Sequence, residues 1–283
     1  MAGTAWRPVH GGDFGRLREA RLQAHHALQW LARAARAFVP PRPEDIHTNV
    51  GWDDDLDGFV THPLKDDLCL GLRLTDLTLV LVGPSVQESS TLDGRTDADA
   101  RLRLGELLAA QELDPSRLDA KPPYDIPYHP VAHGAPYDAR GLSDALSELA
   151  AWFANGDRSL GRVRESMIAR GLAPSPVRTW PHHFDMATLI PLETGHAEHA
   201  KSVNAGLSPG DEYYEEPYFY VIPYPYPYPD ETKLPALPFG RWHTQGFTAA
   251  VLPASKLMPM AAHKNTVDAF FDAAVAAAMR ALA

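Results

Sequence analysis

Cysteine is almost missing from this 283-residue sequence, which contains only Cys69. A single thiol excludes an internal disulfide framework and any metal site built from several thiolates. Cys69 lies in the apolar run Leu68-Cys69-Leu70, so we favour a small buried hydrophobic residue over a reactive thiol. The fold must therefore be held by packing, which a chain of this length can supply.

Basic charge is also scarce, because 36 Asp and Glu outnumber 26 Lys and Arg and give a net charge of −10. Nucleic-acid binding needs a clustered basic face, and the basic residues here are dispersed. No apolar run approaches the roughly 18 residues of a membrane span. The first residues also lack the basic start and apolar core of a secretory signal. We expect a soluble cytoplasmic protein of bacterial type, with neither a nucleic acid nor a membrane as partner.

Familiar catalytic motifs are missing as well. The sequence has no G-x-S-x-G elbow, no Walker phosphate loop and no G-x-G-x-x-G after a strand. The acidic run at residues 53–57 lacks the spacing and the distal Glu of a calcium loop, and we interpret it as a solvated loop. Any chemistry must come from a site that carries no familiar signature.

Periodic apolar residues predict helices and strands along the whole chain. Apolar positions at steps of three and four predict helices over residues 14–38, 96–113, 143–169 and 266–282. Asp13 is the predicted N-cap of the first helix, and Gly156 is a predicted weak point of the third. Strands are predicted over residues 46–52, 67–74, 77–82, 177–190, 201–207, 216–228 and 247–252.

This order predicts an α+β fold of two similar halves, each a long helix, antiparallel strands and a helix. The halves are residues 1–120 and 143–283, joined by a Pro- and Tyr-rich connector at residues 121–142. An internal duplication is one interpretation of the repeated order, and an unduplicated α+β fold is the other.

Acid, imidazole and phenol are concentrated between Trp180 and Pro229. This stretch holds four of the thirteen histidines and seven of the ten tyrosines. On a strand over residues 178–190, His183 and Asp185 would be two apart and point the same way, as metal ligands or as a general base with its orienting carboxylate. A type II turn at residues 208–211 would bring Asp211 to them.

His183, Asp185 and Asp211 form the candidate metal site, with His183 and Asp185 as catalytic residues. Imidazole with carboxylate suits zinc, iron or manganese. Further ligands could come from His196, His199, Glu215 or Glu216. A surface ion pair or a strand-end hydrogen bond is the structural alternative for His183 and Asp185, and a solvated loop is the alternative for His196 and His199.

Alternating prolines and tyrosines at residues 223–229, here called the Tyr–Pro ladder, predict a strand that can pair along one side only. Tyr224, Tyr226 and Tyr228 would share one face. They form an aromatic wall for a ligand or partner, or they pack on the core while the prolines protect an exposed edge. Trp180, Tyr218, Tyr220 and Tyr224 are the candidate ligand-binding residues.

The chain resembles an uncharacterised bacterial family at two motifs. These are W-P-x-H-F-D, here Trp180 to Asp185, and S-P-G-D leading to E-P-Y, here residues 208–211 and 216–218. The resemblance covers residues 143–282, and residues before 143 match only in outline. Family members end the aromatic strand soon after E-P-Y, so the Tyr–Pro ladder is a departure. The family has no established activity, so the resemblance implies where a site lies and not what it does.

Two functions follow from these observations. One is a metal-dependent or His/Asp-based hydrolase-like site for a small molecule, with a metal-bound water as nucleophile and the tyrosines shaping the pocket. The other is a non-catalytic binding or assembly module that uses the Tyr/Pro-rich strand to bind a partner or to form a homo-oligomer.

Overall fold

A computed structural model describes residues 5–11, 13–84, 86–193, 200–226 and 234–283, which fall into two compact units. The first unit comprises residues 13–154 and 179–184. The second comprises residues 5–11, 155–178 and the described residues from 185 onward. Both units are discontinuous in sequence. They differ in this from the predicted halves, whose boundary lies in the connector at 121–142.

The first unit combines a long helix, a five-stranded sheet and a second helix. Its elements are α1 (Phe14–Phe38), β1 (Gly51–Asp53), β2 (Gly58–Val60), β3 (Cys69–Arg73), β4 (Thr78–Gly83), β5 (Val86–Thr91) and α2 (Asp97–Ala109). The strands are antiparallel and follow chain order, β1-β2-β3-β4-β5. Three short 3-10 helices, Pro43–Thr48, Pro115–Asp119 and Pro130–His133, lie in the connections.

The predicted start of α1 is confirmed, since the Asp13 carboxylate accepts from the Arg16 amide at 3.0 Å.

Aromatic rings from distant parts of the sequence form the centre of the first unit. The Phe59 ring meets the rings of Trp52, Phe153 and Phe184 at centroid distances of 5.3, 4.9 and 5.9 Å. Phe59, Phe153 and Phe184 are almost fully buried. Rings at these separations and tilts contribute beyond their buried area, so this cluster anchors residues 179–184 in the first unit.

The second unit is built on a larger sheet. Its elements are the C-terminal part of α3 (Ser143–Ala169), β7 (Asp185–Pro191), β8 (Ser202–Ser208), β9 (Tyr218–Tyr224), β10 (Arg241–His243), β11 (Ala249–Pro253), α4 (Ala254–Leu257) and α5 (His263–Ala281). The last strand of the sheet, β6 (Arg178–Trp180), has Arg178 in the second unit and its other two residues in the first. The strand order is β10-β11-β9-β8-β7-β6. The strands from β7 to β11 pair with one another in antiparallel fashion.

Helices cover one face of this second sheet. The Phe219 ring of β9 meets the Phe271 ring of α5 edge-to-face at 5.6 Å. A Cβ on Gly156 of α3 would lie 2.6 Å from Leu207 Cδ2 of β8. The predicted weak point in α3 is therefore a place where the helix needs a glycine to approach the sheet.

Register places a different set of side chains on the opposite face, here called the tyrosine face. Tyr220 of β9 lies opposite Gly206 and Val251, and Ala187 lies opposite Gly206. Since side chains two apart share a face, the tyrosine face includes Asp185, Ala187, Leu189, Ser202, Asn204, Gly206, Tyr218, Tyr220, Ile222, Tyr224, Arg241, His243 and Val251.

The α+β class is confirmed by these helices and two antiparallel sheets. The order helix, strands, helix recurs along the chain, but the internal duplication stays a prediction. The short strands β2, β5 and β10 escaped prediction, and residues 46–48 are 3-10 helix instead of strand. Among the described residues, no helix is both long and apolar enough to cross a membrane.

Candidate functional site

The predicted strand over residues 178–190 is wrong at its centre. β6 ends at Trp180, residues 181–184 form a turn, and β7 begins at Asp185. The Trp180 carbonyl accepts from the amides of His183 and Phe184 at 3.3 and 2.7 Å. His183 and Asp185 are therefore not two positions apart on one strand. His183 belongs to the first unit and Asp185 to the second.

Within the first unit, α1 holds this turn through one carbonyl group. The Pro181 oxygen accepts from His25 Nε2 at 2.8 Å and from Gln29 Nε2 at 2.9 Å. Because a carbonyl only accepts, Nε2 of His25 must carry the proton. Burial lowers the pKa of His25 to about 3, so its ring is neutral at physiological pH. Its ring also stacks on that of Phe184, with centroids 5.2 Å apart.

His183 is exposed on this turn. Its ring lies 4.3 Å from that of His182, which in turn meets the rings of Trp180 at 5.8 Å and Tyr124 at 5.6 Å. The predicted catalytic histidine thus sits at the rim of a small aromatic group. Trp180, a predicted ligand-binding residue, is half-buried beside it.

Two tyrosine–carboxylate pairs occupy the tyrosine face of the second unit. The Tyr220 hydroxyl donates to Asp185 Oδ2, and the Tyr218 hydroxyl donates to Asp211 Oδ2. Gly206 makes the first pair possible, because the Tyr220 ring lies over its Cα where any side chain would collide with it. Four residues predicted to act in catalysis or binding thus meet as two separate pairs.

Asp211 is bound by three donors. Its Oδ1 accepts from the amides of Tyr213 and Tyr214 at 2.8 and 2.9 Å, and its Oδ2 accepts from Tyr218. Its own amide donates to the Tyr214 carbonyl at 2.7 Å. Gly210 before it has a φ of +116°, as the predicted turn requires of its glycine. Asp211 closes the turn that carries Tyr213 and Tyr214.

Both tyrosines are held in their neutral form. Burial raises the pKa of Tyr218, and the Asp211 carboxylate raises it further. Burial likewise raises the pKa of Tyr220 well above its ordinary value, and Asp185 adds to this. Loss of solvent and a neighbouring negative charge both disfavour a phenolate. The two hydroxyls therefore act as hydrogen-bond donors and not as bases.

His243 belongs to the same face and was missed by the sequence analysis. Its Nε2 lies 2.8 Å from the Gln245 carbonyl, so Nε2 carries the proton, and Nδ1 accepts from the Tyr214 hydroxyl at 3.0 Å. The Tyr214 ring also contacts the Tyr218 ring, with centroids 4.9 Å apart. A three-residue strand leaves little period to detect, and the only sequence signal was a histidine beside a tryptophan.

The tyrosine face changes character toward the far ends of β7 and β9. Tyr218 and Tyr220 are buried, whereas Leu189, Tyr224 and Tyr226 are 41%, 37% and 50% exposed. Leu189 lies across Asn204 from the half-buried Ile222. The rings of Tyr224 and Tyr226 meet edge-to-face at 6.1 Å. Leu189, Ile222, Tyr224 and Tyr226 form what we call the open strip.

The Tyr–Pro ladder is only partly an edge. β9 lies between β8 and β11, but β11 pairs with residues 218–221 alone, while β8 pairs with all of 218–224. Pro223 therefore sits where β9 has β8 as its only strand neighbour in the described sheet, in agreement with one-sided pairing. Tyr228, like His196 and His199, lies outside the described residues.

The side chains of the candidate metal site do not come together as a set of metal ligands in the described part of the chain. In the part of the chain that the structure describes, no three His, Cys, Asp or Glu side chains are arranged to hold a metal ion. Of the accessory carboxylates, Glu216 accepts from the Ser255 amide and hydroxyl. The set His183, Asp185 and Asp211, with zinc, iron or manganese, stays a prediction from sequence.

Comparison with known proteins supplies no family or fold relative. No protein-family model, no curated protein and no solved structure matches the chain significantly. The resemblance at the W-P-x-H-F-D and S-P-G-D motifs therefore also stays a prediction, and function must be argued from the site itself.

Proposed function

We propose that the chain is a non-catalytic binding or assembly module that acts through the open strip. One observation carries the proposal. On a single sheet face, the polar groups are hydrogen-bonded to one another at the buried end, while apolar and aromatic side chains are exposed at the other end and, at Tyr226, just beyond β9.

The buried end is suited to a structural role. A general base needs a lone pair available to substrate, but three of the roughly four acceptor sites of Asp211 are filled and both ring nitrogens of His243 are occupied. A buried polar network with its partners in place rigidifies a fold. These residues therefore hold the face in shape.

The open strip is suited to docking. Tyrosine offers a large rigid apolar surface with a polar tip, and it is enriched at protein interfaces. Ser202 and Asn204 lie between the apolar side chains of β7 and β9 and supply hydrogen-bonding groups. We expect the strip to pack against a protein surface, with a second copy of this chain as the partner tested first.

Molecular mass in solution tests this proposal. Sedimentation equilibrium should give the wild-type protein a mass of at least two protomers of 31.1 kDa. The double variant Tyr224→Ser, Tyr226→Ser should weaken association at least about tenfold, since buried tyrosines are frequent interface hot spots.

Tyr128→Ser is the matched control, because Tyr128 is 74% exposed but lies outside the strip, in the first unit. It should leave the mass unchanged. A wild-type protein that stays monomeric contradicts assembly through the strip. Equal effects of Tyr128→Ser and the double variant would deny the strip any special role.

A further inference from the structure

A second site in the second unit lies apart from the tyrosine–carboxylate pairs. A cavity of about 260 Å³ opens where the segment before β10 meets β11 and α4. Five apolar side chains line it: Pro238, Phe239, Leu252, Pro253 and Met260. Among its described lining residues, Arg241, the first residue of β10, and Lys256, in α4, are the charged ones.

These two cations make no ion pair in the described part of the chain. The Arg241 guanidinium lies 5.7 Å from the centre of the Tyr214 ring, which is a weak cation–π contact. Two other cations of this unit are paired, Arg162 with Asp268 and Asp272, and Lys264 with Asp268. The chain has ten more acidic than basic residues, so two cations without an ion pair at one apolar cavity are unusual. They favour an anion as the ligand of this cavity.

Glu216 is bound next to Lys256 but does not pair with it. Glu216 accepts from the amide and the hydroxyl of Ser255, the residue before Lys256. It holds the start of α4 and forms no ion pair with Lys256 within 4 Å among the described residues. Within the described ranges, no carboxylate therefore forms an ion pair with Arg241 or Lys256 at the cavity.

We propose that this cavity binds a small amphipathic anion, with its carboxylate held by Arg241 and Lys256 and its apolar body on Phe239, Leu252 and Met260. A guanidinium matches a carboxylate with two parallel hydrogen bonds, and an ammonium adds a point charge. Apolar walls with a few polar anchors are the usual composition of small-molecule sites. This site goes beyond the proposed docking function and does not depend on it.

Calorimetric titration of the full-length protein with octanoate tests the proposal. Octanoate should bind saturably with one site per chain, and 1-octanol, which has the same apolar body without charge, should bind at least about tenfold more weakly. The double variant Arg241→Gln, Lys256→Gln should lose at least about tenfold in octanoate affinity. Butanoate should also bind more weakly than octanoate, because it buries less apolar surface.

Lys264→Gln is the control, since Lys264 is an exposed lysine of α5 that pairs with Asp268 away from the cavity. It should keep octanoate affinity within about twofold. Thermal unfolding followed by circular dichroism should show that all variants remain folded, as every substituted side chain is exposed. Absence of saturable octanoate binding, or equal binding by the double variant and the wild type, would overturn the proposal.

Discussion

At the scale of single residues, His25 shows how a histidine can serve as a buried hydrogen-bond donor. Two adjacent histidines, His25 and His26, lie on α1. Their rings diverge, with His25 donating to Pro181 and His26 bonding the Pro127 carbonyl at 2.9 Å. Burial keeps His25 neutral, which makes the stability of the fold depend on pH.

The His25→Gln variant should reduce the pH dependence of unfolding. The pKa of His25 is about 3 in the folded state and about 6.5 when the ring is solvated, so between these values the unfolded chain binds more protons. Stability that is complete above pH 6.5 is thus lost as pH falls toward 3, by up to about 1.4 kcal/mol per pH unit. Urea unfolding of wild type and variant at pH 7, 6 and 5 measures this slope.

The variant should be less stable at pH 7, because it lacks the ring that stacks on Phe184, yet its stability should fall less on acidification. His183→Gln, at an exposed histidine, is the control and should retain the wild-type slope. Parallel pH profiles for His25→Gln and wild type would show that this ring does not cause the acid sensitivity.

At the scale of elements, alternation of side chains could not reveal where the strand at residues 177–190 breaks. Trp180, His182, Phe184 and Met186 alternate as a strand would, yet residues 181–184 turn. Phe184 has a φ of +59°, a strained conformation for a residue with a side chain. It is held there by the ring cluster with Phe59 and Phe153, which comes from other parts of the chain.

Two glycines of α3 should respond oppositely to alanine. Gly156→Ala should lower the free energy of unfolding by about 1–3 kcal/mol, because its Cβ would meet the buried Leu207 at 2.6 Å. Gly161→Ala should raise it by about 0.5–1 kcal/mol, since no atom lies within 4 Å and alanine favours a helix. Guanidinium unfolding of both variants measures the difference, and equal shifts would refute the packing of α3 on β8.

At the scale of the whole molecule, the bounds of the long helices could be predicted from the sequence, whereas contacts between residues far apart in the sequence could not. The ends of α1 and α3 follow from capping and apolar period, and both helices match their predicted bounds. The hydrogen bond between Asp185 and Tyr220 joins residues 35 positions apart. It also needs Gly206 under the Tyr220 ring, and strand register places that glycine there. Predicted pairings within one strand failed because the chain changes units at residue 185.

The uneven pairing of β9 implies a gradient of amide exchange along one strand. Residues 218–221 lie between two strands, so their amides should exchange with solvent deuterium only when the sheet opens as a whole. Residues 222–224 have no β11 partner, and exchange of the Ile222 and Tyr224 amides should follow smaller local openings. Exchange measured by mass spectrometry should therefore be faster at the end of β9 that carries the open strip. The surface proposed to bind a partner would then lie at the end of β9 that opens more easily, while the rest of the strand stays rigid.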